Sequence, residues 1–349
     1  MPTLTTVTSK TKSTLKWLSI SLVYLSILFV VTKIGIAIKE RLAPTPPPPP
    51  TLAFGKLPSI SFPKGEIDRK LTYSLDTITG FLPTVPYQVK VYKMEHIKPQ
   101  YLALDNARRR TSNVGFRSSE INLSKYWYRW TNEGYPFREI TLNIFSPEFT
   151  LSSPFLSDPL AARFATNFPN QTSAINTAVE FLSGMSSFPN DIDLTRTKTL
   201  SYSITDSILT PVANISRTQV TRVDFFQQAL DQLPIYYPNA TTSTINLLVA
   251  SIQNQQIVIG ANFTYQPISK SAYTYPIKTS SQAFSELKAQ KAYIASYFGS
   301  TTNVAIKNVS LGYYIGKEKQ DYVMPIVVFE GNDGFFAYVS AVRDEWIGK

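Results

Sequence analysis

The feature that most constrains this chain is an unbroken apolar run near its N-terminus, from Trp17 to Ile38. At the rise of an α-helix a run of this length extends roughly 33 Å, enough to cross a bilayer core of about 30 Å. The charge inside it is Lys33, whose long side chain can place its ammonium among the lipid headgroups. The run predicts a single transmembrane helix at residues 17–38, preceded by a tail at residues 1–16.

A cleaved signal peptide is the alternative for this segment. Lys10, Lys12 and Lys16 precede the run, and Gly35 to Ala37 resembles a cleavage site. The apolar stretch is longer than the roughly 7 to 15 residues of a signal peptide, which favours an uncleaved anchor. Long domains cross membranes largely regardless of the flanking charges. We therefore expect a single-pass protein of the plasma membrane, with its N-terminus inside and its C-terminal domain outside.

A proline-rich linker follows at residues 39–66 and includes five consecutive prolines, Pro46 to Pro50. Such a segment favours the polyproline II conformation, which extends about 3.1 Å per residue and acts as a semi-rigid spacer. We expect it to hold the following domain away from the membrane. Polyproline stalks and sheets rich in Tyr, Asn and Thr are typical of envelope proteins.

The composition of the chain predicts a folded domain and excludes several kinds of site. The chain is 43% hydrophobic and 13% aromatic, and it has no cysteine. Disulfides, thiolate metal sites and cysteine nucleophiles are therefore excluded. The net charge is +10, but residues 1–41 hold six of the 34 basic residues and one of the 24 acidic ones. The net charge of +5 on the remainder is scattered, so nucleic acid is a poor candidate partner.

Hydrophobic periodicity predicts an α+β fold in which helices pack on antiparallel sheets. The predicted helices span residues 99–112, 173–185 and 282–298, with Ser281 capping the last. The predicted strands span residues 71–79, 87–94, 121–131, 137–145, 197–205, 218–226, 244–252, 256–265, 304–315, 322–330 and 335–342. We expect two lobes, residues 67–160 and residues 161–349, the second ending in a helix and a three-stranded meander.

The candidate partner-binding residues are two clusters in the first predicted lobe. Tyr126, Tyr128 and Trp130 share one face of a predicted strand, and Arg108 and Arg109 lie on the exposed side of the helix predicted at residues 99–112. Aromatic residues on a strand usually fill a core or pair across the sheet, so a core role is the alternative for the first cluster.

The sequence contains few candidate catalytic motifs. His96 is the sole histidine, so the usual zinc sites are excluded and a Ser-His-Asp triad is conceivable only through that residue. Ser285 to Lys288 matches S-x-x-K but lacks the downstream elements of penicillin-binding enzymes. Asp191 and Asp193 lie in a predicted turn without the spacing of a calcium loop. The sequence therefore predicts a protein that is not an enzyme, with no cofactor and no metal site.

The C-terminal part of the chain carries a loose resemblance to a known group of proteins. Its matching segments are YPIKTSSQAFSELKAQKAYI, VAIKNVSLGYYI, YVMPIVVFEG and FFAYVSAV, within residues 218–343. In this helix and meander, and in its plan of one anchor and an outer domain, the chain resembles single-pass bacterial envelope proteins with PepSY-like or YycH/YycI-like ectodomains. The resemblance implies a non-enzymatic module that binds another envelope protein and influences it through the anchor.

The sequence as a whole favours a membrane-anchored extracytoplasmic binding or regulatory module. Its expected partners are membrane lipid at residues 17–38 and an envelope protein or cell-wall polymer, recognised by a sheet face or a groove between the lobes. One alternative is an envelope carbohydrate-active hydrolase with an unrecognised carboxylate pair. Another is a structural subunit of a surface assembly.

Overall fold

The N-terminal apolar run forms a helix, as predicted. The computed structural model describes residues 16–18, 20–35, 48–65, 69–97, 101–168 and 170–348. The chain divides into two units, residues 1–49 and residues 50–349. In the first unit helix α1, Lys16–Gly35, has a mean hydropathy of 2.0 and is long and apolar enough to cross a membrane. The end of the predicted span at residues 36–38, the tail at residues 1–15 and the linker at residues 39–47 lie outside the described residues.

The second unit has an α+β fold, which confirms the predicted class. Its helices are α2 Ala103–Asn113, α3 Ala161–Phe164, α4 Gln171–Gly184 and α5 Ser280–Lys288. Its strands are β1 Thr72–Leu75, β2 Gln88–Met94, β3 Ile121–Asn122, β4 Trp127–Thr131, β5 Glu139–Asn143, β6 Glu148–Ser152, β7 Ile192–Thr205, β8 Ile208–Pro211, β9 Val220–Gln227, β10 Ile235–Tyr236, β11 Ile245–Ile252, β12 Gln255–Thr264, β13 Ile268–Pro276, β14 Tyr293–Ser296, β15 Asn303–Tyr314, β16 Tyr322–Gly331 and β17 Phe336–Ser340.

The first sheet has nine strands in the order β3-β4-β5-β6-β12-β11-β9-β7-β8, and all its pairings are antiparallel. Gln253 and Asn254, both at positive φ, form the two-residue turn between β11 and β12. This is the turn geometry that matches the twist of paired strands. One face of the sheet packs against Ala174, Ala178 and Leu182 of α4, all at 0% exposure. The alternation of apolar residues along the strands therefore builds one continuous core under this helix.

The second sheet has eight strands and contains the predicted meander. Strands β15, β16 and β17 follow one another antiparallel, and β14 extends them beside β17. Strand β2 joins β16 to β13, while the short strands β1 and β10 pair with β15 in parallel. Helix α5 covers one face with Ala283 and Leu287, and aromatic side chains fill the other.

The end of the proline-rich linker belongs to the folded unit, which corrects the prediction of a free spacer over all of residues 39–66. Leu57 is fully buried, and its backbone N–H donates to the carbonyl of Trp346 at 2.8 Å. The ring of Phe62 stacks on Tyr293 at 5.2 Å. Apolar side chains between the prolines supply the burial that holds this stretch against the second sheet.

The helix predicted at residues 282–298 is shorter than expected. Helix α5 ends at Lys288, and Gln290 takes a positive φ of 58°. The residues that follow form β14, which pairs with β17. Tyr293 and Ile294 favour a strand, and pairing with a sheet edge outweighs the helical period of the sequence. The cap is also displaced, because Thr279 and not Ser281 closes the N-terminus of α5.

Besides β14, four strands were not predicted, β6, β8, β10 and β13, because their patterns are weak or short; β10 has two residues. Strand β13 is largely polar, Ile268 to Pro276, and β6 and β8 have five and four residues. The strands of residues 67–160 are also shared between the two sheets, since β2 joins the second sheet and β3 to β6 join the first. The boundary predicted at residues 160 and 161 therefore does not follow the division between the sheets.

Candidate functional site

A cleft of about 510 Å³ lies between α2 and the segments that follow four other elements. We call it the central cleft. Its volume falls in the range of small-molecule and peptide pockets, about 300 to 1,000 Å³. The lining residues are Glu95, Ile97, Ala103, Asn106, Arg109, Arg110, Ile144 to Pro147, Ser186 to Pro189, Tyr265 and Pro267.

Chain reversals after regular elements place these residues together. Glu95 follows β2, Phe145 follows β5, Phe188 follows α4, and Tyr265 follows β12. The backbone N–H of Glu95 donates to the carbonyl of Pro267 at 2.8 Å, which joins the exits of β2 and β12. The walls combine apolar and polar side chains in similar proportion, and Ile97 is 45% exposed.

Two arginines give the cleft a positive charge. Arg109 donates from Nη2 to Oδ1 of Asn106 at 2.8 Å, and Arg110 donates from Nε to the carbonyl of Met185 at 2.7 Å. Arg110 also donates to Oγ of Ser187 at 2.6 Å, and its burial lowers its pKa. Among the described residues the ion pairs of α2 are both made by Arg108. Arg109 and Arg110 therefore present charges that no described carboxylate pairs with.

A network of buried polar side chains supports Tyr265 in the cleft wall. Gln227 donates from Nε2 to Oδ2 of Asp191 at 2.8 Å, and the hydroxyl of Tyr237 donates to Oε1 of Gln227 at 3.4 Å. Burial raises the pKa of Tyr265, and the neighbouring charge of Asp191 raises it further. Burial likewise raises the pKa of Tyr237 to about 12. Both phenols are therefore neutral at physiological pH and act as hydrogen-bond donors.

A smaller pocket of about 30 Å³ adjoins the central cleft and is lined by Glu95, His96, Glu148 and Lys319, among others. Its volume suits about one water molecule. His96, the sole histidine, lies 3.0 Å through Nε2 from Oδ1 of Asp321, with both side chains more than half exposed. His96 therefore ties the exit of β2 to the loop before β16.

The structure separates the five predicted partner-binding residues. Arg109 lines the central cleft, and Tyr126 packs edge to face on Phe145 of the cleft wall at 5.1 Å. Arg108 instead pairs with Asp105 and Glu120. Tyr128 and Trp130 pack with the core of the first sheet, and Trp130 is only 2% exposed. Trp130 therefore fills the core, as the alternative interpretation of the aromatic cluster expected, and its side chain is not accessible to a partner.

Sequence reasoning missed most of the cleft because five separate segments build it. Phe188, Tyr265 and Pro267 carry no local signal that distinguishes them from turn residues. Arg110 follows Arg108 and Arg109 directly in the sequence, yet it is half-buried against the segment after α4. The sequence feature that indicates the cleft is the run of three arginines, Arg108 to Arg110, of which two line it.

The other candidates from the sequence have structural roles. Lys278, beside the S-x-x-K match, is buried and forms ion pairs with Glu286 at 2.7 Å and Asp344 at 2.8 Å. It fastens the C-terminal segment to α5. Asp193 accepts from the backbone and hydroxyl of Thr195, which lower its pKa. Among the described residues no three His, Asp or Glu side chains gather in a group able to hold a metal ion.

Comparisons with known proteins leave the chain without a family. No family model matches it, and no curated protein matches it. An uncharacterized protein from Eubacterium rectale ATCC 33656 is similar in structure over 79% of this chain and 90% of its own, with 14% identity and a TM-score of 0.42. The Bacillus megaterium YpeB C-terminal domain is similar over 71% of this chain and 95% of its own, with 12% identity and a TM-score of 0.31. Both similarities are distant, and neither assigns a function.

Proposed function

We propose that this protein is a membrane-anchored, extracytoplasmic and non-catalytic binding module. The central cleft would recognise a segment of an envelope protein that carries an acidic side chain among apolar ones. The observation that carries this proposal is the pair of arginines without described carboxylate partners in the wall of a cleft of about 510 Å³ that also has apolar lining residues. An anchor near the N-terminus would keep the cleft beside the membrane.

The chemistry of the walls supports a peptide with mixed character. Phe145 and Phe188 offer apolar surface, while Arg109 can form a bidentate pair with a carboxylate. Glu95 is the one carboxylate among the lining residues and disfavours a uniformly acidic ligand. Because Arg110 is held by a carbonyl and a hydroxyl, its guanidinium is already positioned before a ligand arrives.

In-cell photo-crosslinking tests this proposal. A photoreactive residue at position 188, in the cleft, should capture an envelope protein that the same residue at position 208, on β8, does not capture. Mass spectrometry should place the crosslink on a segment with Asp or Glu among apolar residues. Arg109→Gln should reduce the captured amount several-fold, because Arg109 makes a single described hydrogen bond and its loss leaves the fold intact.

Arg117→Gln is the matched control, since Arg117 is an exposed arginine outside the cleft. It should leave the yield unchanged. Equal capture from positions 188 and 208, or an Arg109→Gln yield equal to that of the wild type, would contradict recognition by the central cleft.

The hydrolase alternative has one observation in its favour, because Glu95 and Glu148 line the same small pocket. That pocket of about 30 Å³ does not admit a sugar ring, so we favour binding. Incubation of the full-length protein with purified envelope glycan should release no new reducing ends. Release that disappears in Glu95→Gln would instead support a hydrolase.

A further inference from the structure

A second cleft is lined by the loop that joins β15 and β16. It has a volume of about 480 Å³ and is lined by residues 58–64, Tyr314, Gly316 to Tyr322 and Met324. One wall is thus the end of the proline-rich linker, and the other is the loop before β16. None of these residues belongs to the central cleft.

The floor of this second cleft holds a buried hydroxyl without a partner. Tyr314 is 1% exposed, and its hydroxyl has no hydrogen-bond partner among the described residues. A Cβ atom built on Gly316 would lie 3.7 Å from that hydroxyl. The hydroxyl of Tyr314 therefore lies next to Gly316, which lines the second cleft. The ring of Phe62 packs edge to face on the ring of Tyr314, with 4.8 Å between the two ring centroids. A buried hydroxyl left unpaired is unfavourable, so the position suits a ligand that brings an acceptor.

Two glutamines hold the loop wall in place. Gln320 accepts from the backbone N–H of Gly316 at 2.9 Å and donates to the carbonyls of Tyr314 and Tyr322 at 3.0 and 2.9 Å. Gln266 donates to the carbonyls of Gly316 and Glu318 at 2.9 and 3.0 Å. The loop is therefore arranged before a ligand arrives, which reduces the entropy lost on binding.

The charged side chains around this second cleft select the chemistry of the ligand. Lys64, Lys317 and Lys319 line it, and none forms an ion pair with a described carboxylate. Their ammonium groups can donate to phosphate oxygens. Ser59, Ser61 and Glu318 offer oxygens that accept from ligand hydroxyls. A ligand with both phosphate and hydroxyl groups could accept hydrogen bonds from the lysines and donate them to the serine and glutamate oxygens.

We propose that the second cleft binds a polyol phosphodiester, with the hydroxyl of Tyr314 donating to a phosphate oxygen and the lysines neutralising its charge. Burial raises the pKa of Tyr314, so the phenol keeps its proton at physiological pH. The chemistry is shared by anionic envelope polymers and by glycerophospholipid headgroups. Either source would lie close to the membrane anchor.

Titration calorimetry of the full-length protein in neutral detergent tests the assignment. The probe is a soluble glycerol phosphate oligomer, and a second arm uses phosphatidylglycerol in mixed micelles. Tyr314→Phe should weaken binding about tenfold, since it removes one hydrogen bond to a charged group. Lys317→Gln with Lys319→Gln should also weaken binding and reduce its dependence on salt.

The matched controls come from the same chain. Tyr338 also has a buried hydroxyl without a described partner but does not line the second cleft, so Tyr338→Phe should bind as the wild type does. Lys307→Gln should be neutral as well, because Lys307 is exposed outside it. Binding in the lipid arm alone, with this pattern of variants, would assign the headgroup as the source. Absence of binding in both arms, or wild-type affinity in Tyr314→Phe, would overturn the proposal.

Discussion

At the scale of single residues, aromatic side chains determine how firmly the first sheet is held to its helix. Phe149 and Phe263 stack at 4.8 Å across neighbouring strands, and Trp130 lies in the same core with 2% of its surface exposed. Large aromatic residues remove much apolar surface from water, and their neighbours cannot close the space they leave.

We therefore predict that Trp130→Ala destabilises the fold. Because the side chain is buried, the free energy of unfolding should fall by about 3 to 5 kcal/mol in chemical denaturation. Leu194→Ala is the control, since Leu194 is 52% exposed on β7, and it should change stability by less than about 0.5 kcal/mol. A Trp130→Ala protein of wild-type stability that no longer binds a partner would restore this residue to a binding role.

Arg108, also at this scale, forms ion pairs within the folded unit. Its guanidinium donates to Glu120 and to Asp105 at 2.7 Å. The hydrogen bond from Arg108 holds the pKa of Glu120 below its usual value. A carboxyl group with a lowered folded-state pKa stabilises the fold above its unfolded pKa, about 4.3 for Glu, and loses that contribution as the pH falls.

Arg108→Gln should thus lower the melting temperature at neutral pH but by progressively less below pH of about 4. Carboxyl chemical shifts followed by NMR should show the pKa of Glu120 rising toward its usual value in the variant. Arg117→Gln should leave that titration unchanged. An unaltered titration of Glu120 in Arg108→Gln would show that the pair does not form in solution.

At the scale of elements, helix α5 is fixed by a capping box. The backbone N–H of Gln282 donates to Oγ1 of Thr279 at 3.2 Å, and the backbone N–H of Thr279 donates to Oε1 of Gln282 at 2.8 Å. These bonds satisfy two donors that a helix start otherwise leaves unpaired.

Thr279→Ala should therefore lower the free energy of unfolding by about 1 kcal/mol. Ser281→Ala provides the comparison, because Ser281 lies inside the helix and its side chain caps nothing in the structure. Its effect on stability should be close to zero. The reverse order of the two effects in thermal or chemical denaturation would place the cap at Ser281.

The linker segment at residues 50–63 is also an element of the fold. Leu57 is fully buried, and its carbonyl accepts from the backbone N–H of Gly348 at 2.7 Å. The two ends of the folded unit are thereby joined, and residues 39–49 remain between the predicted anchor and this contact.

Leu57→Ala should destabilise the unit by about 2 to 5 kcal/mol, as expected for a buried leucine. Lys56→Ala is the matched control, since Lys56 is exposed and should have little effect. Limited proteolysis should cut the segment near position 57 faster in Leu57→Ala. Equal stability of the two variants would mean that the linker does not pack on the sheet.

The elements also show what the sequence can predict. Strands β15 to β17 have long apolar runs with a clear turn at Gly331 to Gly334, and the predicted meander is confirmed. Strand β14 was not predictable because its conformation depends on pairing with β17. The parallel pairing of β1 with β15 joins Thr72 to Asn303, residues far apart in the sequence, and no local pattern indicates it. The central cleft was not predicted either, since it is built by separate segments that each contribute only two to four residues. Arg109, which lines the central cleft, could be selected from the sequence because it is a charged residue on the exposed side of a predicted helix.

At the scale of the whole molecule, the chain consists of one apolar helix followed by one folded unit that carries two clefts. The helix Lys16–Gly35 is long enough to cross a membrane, and the unit at residues 50–349 contains both sheets. The loop before β16 contributes Lys319 and Gln320 to both the small pocket beside the central cleft and the second cleft. The envelope-protein segment proposed for the central cleft requires this unit to lie outside the cytoplasm.

Cysteine labelling in intact cells tests that placement most directly, because the chain has no cysteine of its own. Ser300→Cys places one thiol on the surface of the folded unit, and Ser9→Cys places one in the N-terminal tail. A membrane-impermeant maleimide should label Ser300→Cys in intact cells and Ser9→Cys only after the cells are broken open. Labelling of Ser9→Cys but not Ser300→Cys in intact cells would contradict the account.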